Sequence, residues 1–589
     1  MNDIFRKNAA EALTEAIAKA YPDKIEDICL AVKTNTQELA DFIYNKLESP
    51  KDAKNGDYAF PTFILAKPLR NKPPEIAGNI LEHLDKTVFT QTGPYLNMKI
   101  STQDAAEEVL SNIFSRQNNF GNEILDESKT IVIDFSSPNI AKPFGIGHLR
   151  STAIGNSLYR LFEKLGYNVV GINHLGDWGT QFGKMIAAYK KWGDDEKLKV
   201  APIDHLFDLY VKFHKEAETD QTLESEGREW FKKLEEGNQE AAELWQIFKD
   251  YSLQEFQRVY DLLGVHFDYY TGESFYNDKM DGVIERLQKA GLTKESEGAL
   301  IVDLEEQGMN PCLLKKTDGA TLYATRDLAG ILYRHGAYKF DKALYVVGMD
   351  QQEHFKQVFK VIELLGEDFA KDLIHVSFGF IRFKDQAMST RKGNIVFLND
   401  VIKTAIEKVT NIIKEKNPNL PDLEKTAQQV AVGAIVFADL SVSKHKDVNF
   451  DWDEVLNFEG ATGPYLQYTH ARLSSLVHKY GLDISGDANF SFYNSPEEKA
   501  LIMQLHKFGQ TIRLAAGKYE PNIIAAYLLE LAAVFNRFYQ RKDNDGKLVK
   551  IISEDNPEET KARMLLVASV RIVMKEGLRL MGIEAPEEM

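Results

Sequence analysis

An α/β protein is expected here, built on a doubly wound parallel sheet, with a small α/β module ahead of the sheet and an all-α region behind it. Three observations point there. Between about Ile131 and Phe378, short β-branched runs alternate with amphipathic stretches, the pattern of parallel strands joined by helical crossovers. Beyond about Asn399 the strand signal stops and helical periodicity continues. The 589 residues leave room for roughly three or four cores.

The first module is assigned to residues 1–118. Helical patterning runs to about Asn45, Gly56-Asp57-Tyr58 punctuates it, an apolar stretch spans Phe60 to Lys67, and Pro73-Pro74 breaks the chain before a strand-like end at Tyr95 to Ile100. The polar stretch Asn118 to Lys129 closes it. The central domain is assigned to 119–400. Its expected strands are Ile131 to Phe135, Asn168 to Asn173, Ala299 to Leu304, Ala343 to Val347 and Ile374 to Phe378, with a helix from about Leu149 to Leu165. A helical, acidic insertion interrupts it at about 190–290; from Trp192 to Arg258 it carries 17 acidic and 9 basic side chains and is read as a solvated surface. The last domain, 401–589, is expected as helices over Val401 to Lys416, Leu423 to Leu440, Tyr465 to Tyr480, Pro496 to Leu514, Ile523 to Tyr539 and Glu558 to Met581.

Composition narrows the function. Hydrophobic residues make up 44% and charged residues 27%, which fits a globular chain and excludes a fibrous or disordered one. The net charge of -17 excludes a uniformly basic surface while leaving room for a basic groove on one face. Only Cys29 and Cys312 occur, too few for a disulfide framework or a structural zinc site, so a reducing, cytoplasmic setting is expected and no structural metal. No apolar run approaches the length needed to cross a bilayer, and Met1 to Tyr21 reads as an amphipathic helix, not an address label.

The most informative stretch runs from Ser136 to Ser151. It leaves a buried strand, passes Pro138, Lys142 and Pro143, and opens a helix at Gly145-Ile146-Gly147-His148. Ligands bind open α/β sheets at the carboxyl ends of the strands, where a helix N-terminus offers unpaired N–H groups and a positive dipole to phosphate. Gly145 and Gly147 allow close approach to the backbone, and His148 can donate to a phosphoryl or ribose oxygen. An ordinary capped turn would look similar in isolation. The second signal, Met388-Ser389-Thr390-Arg391-Lys392-Gly393, follows the last core strand and places two adjacent cations on a glycine-hinged loop, suited to holding a triphosphate.

Together these stretches resemble the H-x-G-H and K-M-S-K-S motifs of class I aminoacyl-tRNA synthetases. Asn173 to Gly183 (NHLGDWGTQFG) and Tyr323-Ala324-Thr325-Arg326-Asp327 are similar to arginyl-tRNA synthetases in particular, and the resemblance spans nearly the whole chain. It implies a Rossmann-like catalytic core, a tRNA-binding N-terminal appendage and an anticodon-binding helical end. The implied substrates are ATP with Mg2+, L-arginine and the tRNA for arginine. The implied reaction is formation of an arginyl-adenylate, then transfer to the terminal ribose 2′-hydroxyl. Lys142, His148, Arg391 and Lys392 are the implied catalytic residues, with Gly145, Gly147, Met388 and Ser389 completing the ATP site. Ser137, Asn139, Tyr323, Asp327 and Gln351 are implied to hold arginine. Tyr323 and Asp327, four residues apart, share one helical face, where the carboxylate would receive the guanidinium fork.

Two departures from the motifs stand out. Gly145 replaces the first histidine and Ala387 the first lysine, and Lys142 occupies the place of a lysine that stands in for the latter. They raise the alternative of a catalytically weak, synthetase-like tRNA-binding protein. Asp134 is either a further substrate contact or a buried strand-end acid. For tRNA, Tyr465, Tyr468 and Arg472 fall at i, i+3 and i+7 of one helix, a face that could stack unpaired bases or belong to a core. The resemblance maps these three, Met589, and the pair Tyr95 and Asn97 onto RNA contacts. A monomer is expected, with no membrane partner.

Overall fold

The structure is a computed structural model that describes residues 3–50, 52–123, 128–317, 323–383, 396–543 and 545–589. It divides into two compact units. The first comprises Met1–Gly121, Val477–Gln510 and Ala533–Val573; the second comprises Asn122–Leu476, Thr511–Ala532 and Met574–Met589. The helical region assigned above to one domain, 401–589, therefore contributes to both.

In the first unit, strands β1 (Tyr58–Pro61), β2 (Phe89–Thr92) and β3 (Tyr95–Met98) form an antiparallel sheet in the order β1-β3-β2. The helix Thr102–Arg116 starts where Ser101 accepts from the Asp104 N–H. The helix Pro496–His506 starts with a full capping box between Ser495 and Glu498. Lys499 Nζ, 2.8 Å from Asp57 Oδ2, ties that helix to the turn before β1.

The second unit holds the main sheet: β4 (Thr130–Asp134), β5 (Asn168–Asn173), β6 (Tyr269–Tyr270), β10 (Lys342–Tyr345) and β11 (Leu373–His375). All pairs are parallel and the order is β11-β10-β4-β5-β6. After β4 the chain adds strands first on one side and later on the other, so the crevice beyond the carboxyl ends of β4 and β10 is the switch point where such sheets bind ligands. The helix Ile146–Lys164 lies against β4 so closely that a Cβ on Gly155 would come 2.3 Å from the Phe135 ring. Beside the sheet, Val132, Ile172, Val302, Leu328, Tyr345 and Val358 belong to one buried cluster. It includes Cys312, whose thiol burial pushes up to about 12, and Cys312 and Cys29 are both free and buried.

Two expectations about strands are corrected. Ala299 to Leu304 does not join the parallel sheet: β7 (Thr293–Ser296), β8 (Ala299–Val302) and β9 (Cys312–Lys315) make a separate antiparallel sheet. Glu297 and Gly298, at φ +50° and +79°, form a two-residue turn that folds β8 straight back on β7. The region after Asn399 is not wholly helical either, because β13 (Val448–Phe450) pairs in parallel with β12 (Ile381–Phe383). Three residues are too short to leave a periodic signal. The acidic insertion is helical through Pro202–Ala217, Thr222–Glu235 and Gln239–Leu263, but its expected end near 290 is corrected, because β6 at Tyr269–Tyr270 already belongs to the main sheet, paired with β5.

Candidate active site

The loop from β4 to the helix Ile146–Lys164 winds tightly. Ser136, Ser137 and Ala141 have φ of +72°, +50° and +58°, left-handed values that cost non-glycine residues about 1–3 kcal/mol each. Hydrogen bonds hold it there. The Ser136 N–H donates to Ser151 Oγ at 2.9 Å, Ser136 Oγ is 2.8 Å from Tyr260 Oη, and the Ala141 N–H donates to Ser252 Oγ at 2.8 Å. Ser151 Oγ in turn donates to the Val346 carbonyl at 2.6 Å, fastening the first turns of the helix to the end of β10. The loop thus arrives at the switch point in one fixed path.

Gly145 is the N-cap of that helix, with Gly147 and His148 in its first turn. A Cβ on Gly147 would meet nothing within 4 Å, so the backbone is open on that side. His148 packs edge-on to Phe144, with centroids 5.3 Å apart. Burial drives its pKa down to about 4; the Gly145 carbonyl opposes this and the charge of Lys142 adds to it. At neutral pH His148 is an uncharged hydrogen-bonding group rather than a cation. Lys142 Nζ sits 4.4 Å over the Tyr210 ring and 3.4 Å from Gln181 Oε1, held by side chains of the neighbouring helices.

Ala387, Met388, Ser389, Arg391 and Lys392 lie outside the described residues. The segment just after them is described and joins the same loop: the Ile146 N–H donates to the Val396 carbonyl at 3.0 Å, the Leu398 N–H donates to the Phe144 carbonyl at 2.9 Å, and Gly145 bridges Phe397.

The residues assigned to arginine occupy three elements. Ser137 is half-buried and donates its hydroxyl to Asp134 Oδ1 at 3.1 Å. Asn139 is exposed and bridges Gly176, where a Cβ would fall 2.0 Å from Asn139 Oδ1. Gln351 is exposed in the turn Met349–Gln351 that follows β10, its Nε2 3.2 Å from Asp350 Oδ2. Tyr323 opens the helix Tyr323–Tyr338 and is 63% exposed. Asp327, on the next turn, has Oδ2 2.6 Å from His354 Nε2. Asp134, left open above, is engaged at both oxygens, by Ser137 and by Arg334.

Sequence reading missed Glu273. Burial raises its pKa to about 7, opposed by Arg326, whose Nη1 is 3.9 Å away, and reinforced by Asp177 and Asp327. Glu273 thus places a second, desolvated carboxyl within the electrostatic reach of Asp327. Nothing in the local run Thr271-Gly272-Glu273 signals this, since the coupling arises only when distant segments meet. Asp177, fully buried, holds that segment in place: its carboxylate accepts from the Ser274 N–H at 2.8 Å and from Lys249 Nζ at 2.7 Å.

On the helix Gly463–Tyr480, Tyr468 is 50% exposed, while Tyr465 and Arg472 are half-buried. The opposite side of the helix carries the chain's tail: Gln467 Nε2 donates to the Glu584 carbonyl at 2.8 Å and His470 Nδ1 lies 2.9 Å from the Pro586 carbonyl. The Met589 carbonyl is 3.4 Å from Asn417 Nδ2. In the first unit, Tyr95 packs edge-on to Phe63, and Asn97 is buried with Nδ2 donating to Thr92 Oγ1 at 3.0 Å.

Residues 109–452 match the family described as tRNA synthetases class I (R), catalytic domain. Residues 466–589 match the DALR anticodon binding domain, and residues 7–100 the arginyl tRNA synthetase N terminal domain. An arginine–tRNA ligase of Clostridium botulinum is 47% identical over 572 residues, covering 97% of this chain and 100% of its own. The arginine–tRNA ligase of Clostridioides difficile is 46% identical over 578 residues, covering 98% and 99%. Among solved structures, the Thermus thermophilus arginyl-tRNA synthetase superposes with a TM-score of 0.79 at 26% identity, covering 96% of this chain and 99% of that one. The Plasmodium falciparum arginyl-tRNA synthetase does so with a TM-score of 0.77 at 25% identity, covering 99% of each.

Proposed function

The chain belongs to the arginyl-tRNA synthetase family of class I, an arginine–tRNA ligase, and we propose how its own residues divide that work. The observation that carries the reading is the junction at the switch point: the helix start Phe144–Ile146 is hydrogen-bonded to Val396–Leu398, a segment that begins four residues after Lys392 in the chain. Class I enzymes use ATP. Here its phosphates meet the open backbone at Gly147 and the positive end of the helix dipole, with Gly145 at the N-cap, His148 donating a neutral side-chain N–H, and Lys142, Arg391 and Lys392 supplying positive charge where the leaving pyrophosphate gathers negative charge. Met388 and Ser389 complete the nucleotide site. Magnesium is assigned to the nucleotide; among the described residues no group of three or more His, Cys, Asp or Glu is disposed to hold a metal ion.

Ser137, Asn139 and Gln351 hold the amino and carboxylate end of L-arginine at the carboxyl ends of β4 and β10. Tyr323 and Asp327 receive the guanidinium, with Glu273 adding negative potential. The arginine carboxylate attacks the α-phosphorus and pyrophosphate leaves; the terminal ribose 2′-hydroxyl of tRNA then attacks the arginyl carbonyl, forming the ester and losing its proton as the acyl–phosphate bond breaks and AMP leaves. In-line positioning and electrostatic stabilisation suffice, without a covalent enzyme intermediate. Residues 1–118, through Tyr95 with the buried Asn97 bracing its strand, and 401–589, through Tyr465, Tyr468, Arg472 and Met589, serve tRNA binding.

The matches over the whole catalytic region support the ligase over a binding-only protein, despite Gly145 and Ala387. No helix among the described residues is long and apolar enough to cross a membrane; a cytoplasmic monomer is the proposed form. Charging of tRNA with radiolabelled arginine by the purified chain tests the reading. ATP- and arginine-dependent esterification of tRNA supports it, and RNA binding without esterification would overturn it.

A further inference from the structure

Arg334 lies seven residues beyond Asp327 on the helix Tyr323–Tyr338, about 10 Å along the helix axis. Its side chain is 3% exposed, and its Nη1 stands 2.7 Å from Oδ2 of Asp134, the last residue of β4. The other oxygen of Asp134 accepts from Ser137 Oγ. One buried carboxylate therefore joins the loop bearing Ser137 and Asn139 to the helix bearing Tyr323 and Asp327. Arg334 Nη2 also reaches within 3.4 Å of His174 Nδ1, which is 3.0 Å from the carbonyl of Thr271, two residues before Glu273. Tyr276 and Tyr345 flank the guanidinium, with ring centroids 5.9 and 5.4 Å from its carbon.

This arrangement fixes a length. If the helix slid along its axis, the gap between the two ends of the site would change; sliding would also pull Arg334 off Asp134 and leave two buried charges uncompensated. The planar fork, held against Asp134 with the rings of Tyr276 and Tyr345 beside it, resists small shifts as well as large ones.

We propose that Arg334 and Asp134 are positioning residues that set the side-chain length the site accepts, admitting arginine and rejecting the guanidino amino acid one methylene longer. The proposal rests on the assignment of Ser137, Asn139, Tyr323 and Asp327 to arginine made above. Arg334 acts through the helix it anchors and has no assigned contact with substrate. One methylene is discriminated by about 10- to 200-fold in a well-fitted pocket, which sets the scale of the effect.

The test compares kcat/KM for tRNA charging with L-arginine and with L-homoarginine in the full-length parent, Arg334→Lys, Asp134→Asn and the double variant Asp134→Glu/Arg334→Lys. The arginine-to-homoarginine ratio is expected to fall by about tenfold or more in each single variant. In the double variant the longer acid meets the shorter base and the ratio recovers. A parental ratio in the single variants, with both substrates falling by the same factor or neither falling, overturns the proposal. Circular dichroism establishes folding; should Arg334→Lys not fold, the near-isosteric Asp134→Asn carries the same expectation. Asp327→Asn is measured alongside. If it leaves the KM for arginine unchanged, the pocket assignment fails; if it raises that KM while the ratio stays parental in the single variants, only the length-setting role fails.

Discussion

His354 Nε2 stands 2.6 Å from Asp327 Oδ2, so one edge of that carboxylate is already committed and the proposed guanidinium contact falls to Oδ1. Hydrogen bonds to a charged group contribute about 1.5–3 kcal/mol, so Asp327→Asn is expected to raise the KM for arginine by about 10- to 100-fold with the KM for ATP unchanged. His354→Ala, which only frees the carboxylate to rotate, is expected to have a smaller effect in the same direction. Steady-state charging kinetics with each substrate varied in turn checks both.

Replacing Lys142 or His148 with Ala should lower turnover by a factor on the order of 100 while arginine binding survives, the pattern of contacts that strengthen in the transition state. Because the His148 pKa is held near 4, its contribution should not titrate between pH 6 and 8. Equal turnover in parent and variants would remove both residues from the phosphate site.

Glu273 makes stability and arginine binding depend on pH. Its folded pKa of about 7 exceeds the ordinary 4.5, so between those values the folded state holds more protons than the unfolded one. This residue's contribution to stability is therefore unfavourable at high pH: stability is lost as pH rises from about 4.5 through 7. Glu273→Gln should melt at a higher temperature than the parent at pH 8 and at a similar one near pH 4. An incoming guanidinium favours the ionised carboxyl, so arginine binding should release protons near pH 7. Calorimetry in buffers of different ionisation enthalpy measures that release, and Glu273→Gln should abolish it.

The close approach at Gly155 leaves no room for a methyl group, since a Cβ there would lie 2.3 Å from the ring of Phe135. Gly155→Ala is expected to destabilise the fold by about 1–3 kcal/mol through overpacking, despite alanine's better helix propensity. A lowered thermal midpoint tests this; an unchanged or raised one would show that the ring can move aside.

Tyr468, half exposed on a helix whose opposite face is occupied by the tail, should matter for RNA and not for the nucleotide. Tyr468→Ala is expected to weaken tRNA binding by about 1–3 kcal/mol, the worth of one stacked base, and to leave the KM for ATP unchanged. Filter binding of tRNA beside ATP titration separates the two, and an equal loss in both would assign the ring to folding.

The alternation of strands and helices, the helix start at Gly145–His148, the rarity of cysteine and the four-residue spacing of Tyr323 and Asp327 were all readable along the chain. Each is a matter of local periodicity, backbone freedom or residue chemistry within a window of a few turns. The Glu297-Gly298 turn is equally local, and its two positive φ values are what fold β8 back on β7 and away from the parallel sheet. The acidity around Asp327, the neutral state of His148, the grip of Arg334 on Asp134 and the pairing of Gly145 with Phe397 could not be read in that way. They come from bringing residues far apart in the chain together and excluding water from between them, and desolvation and long-range pairing exist only once the sheet has closed.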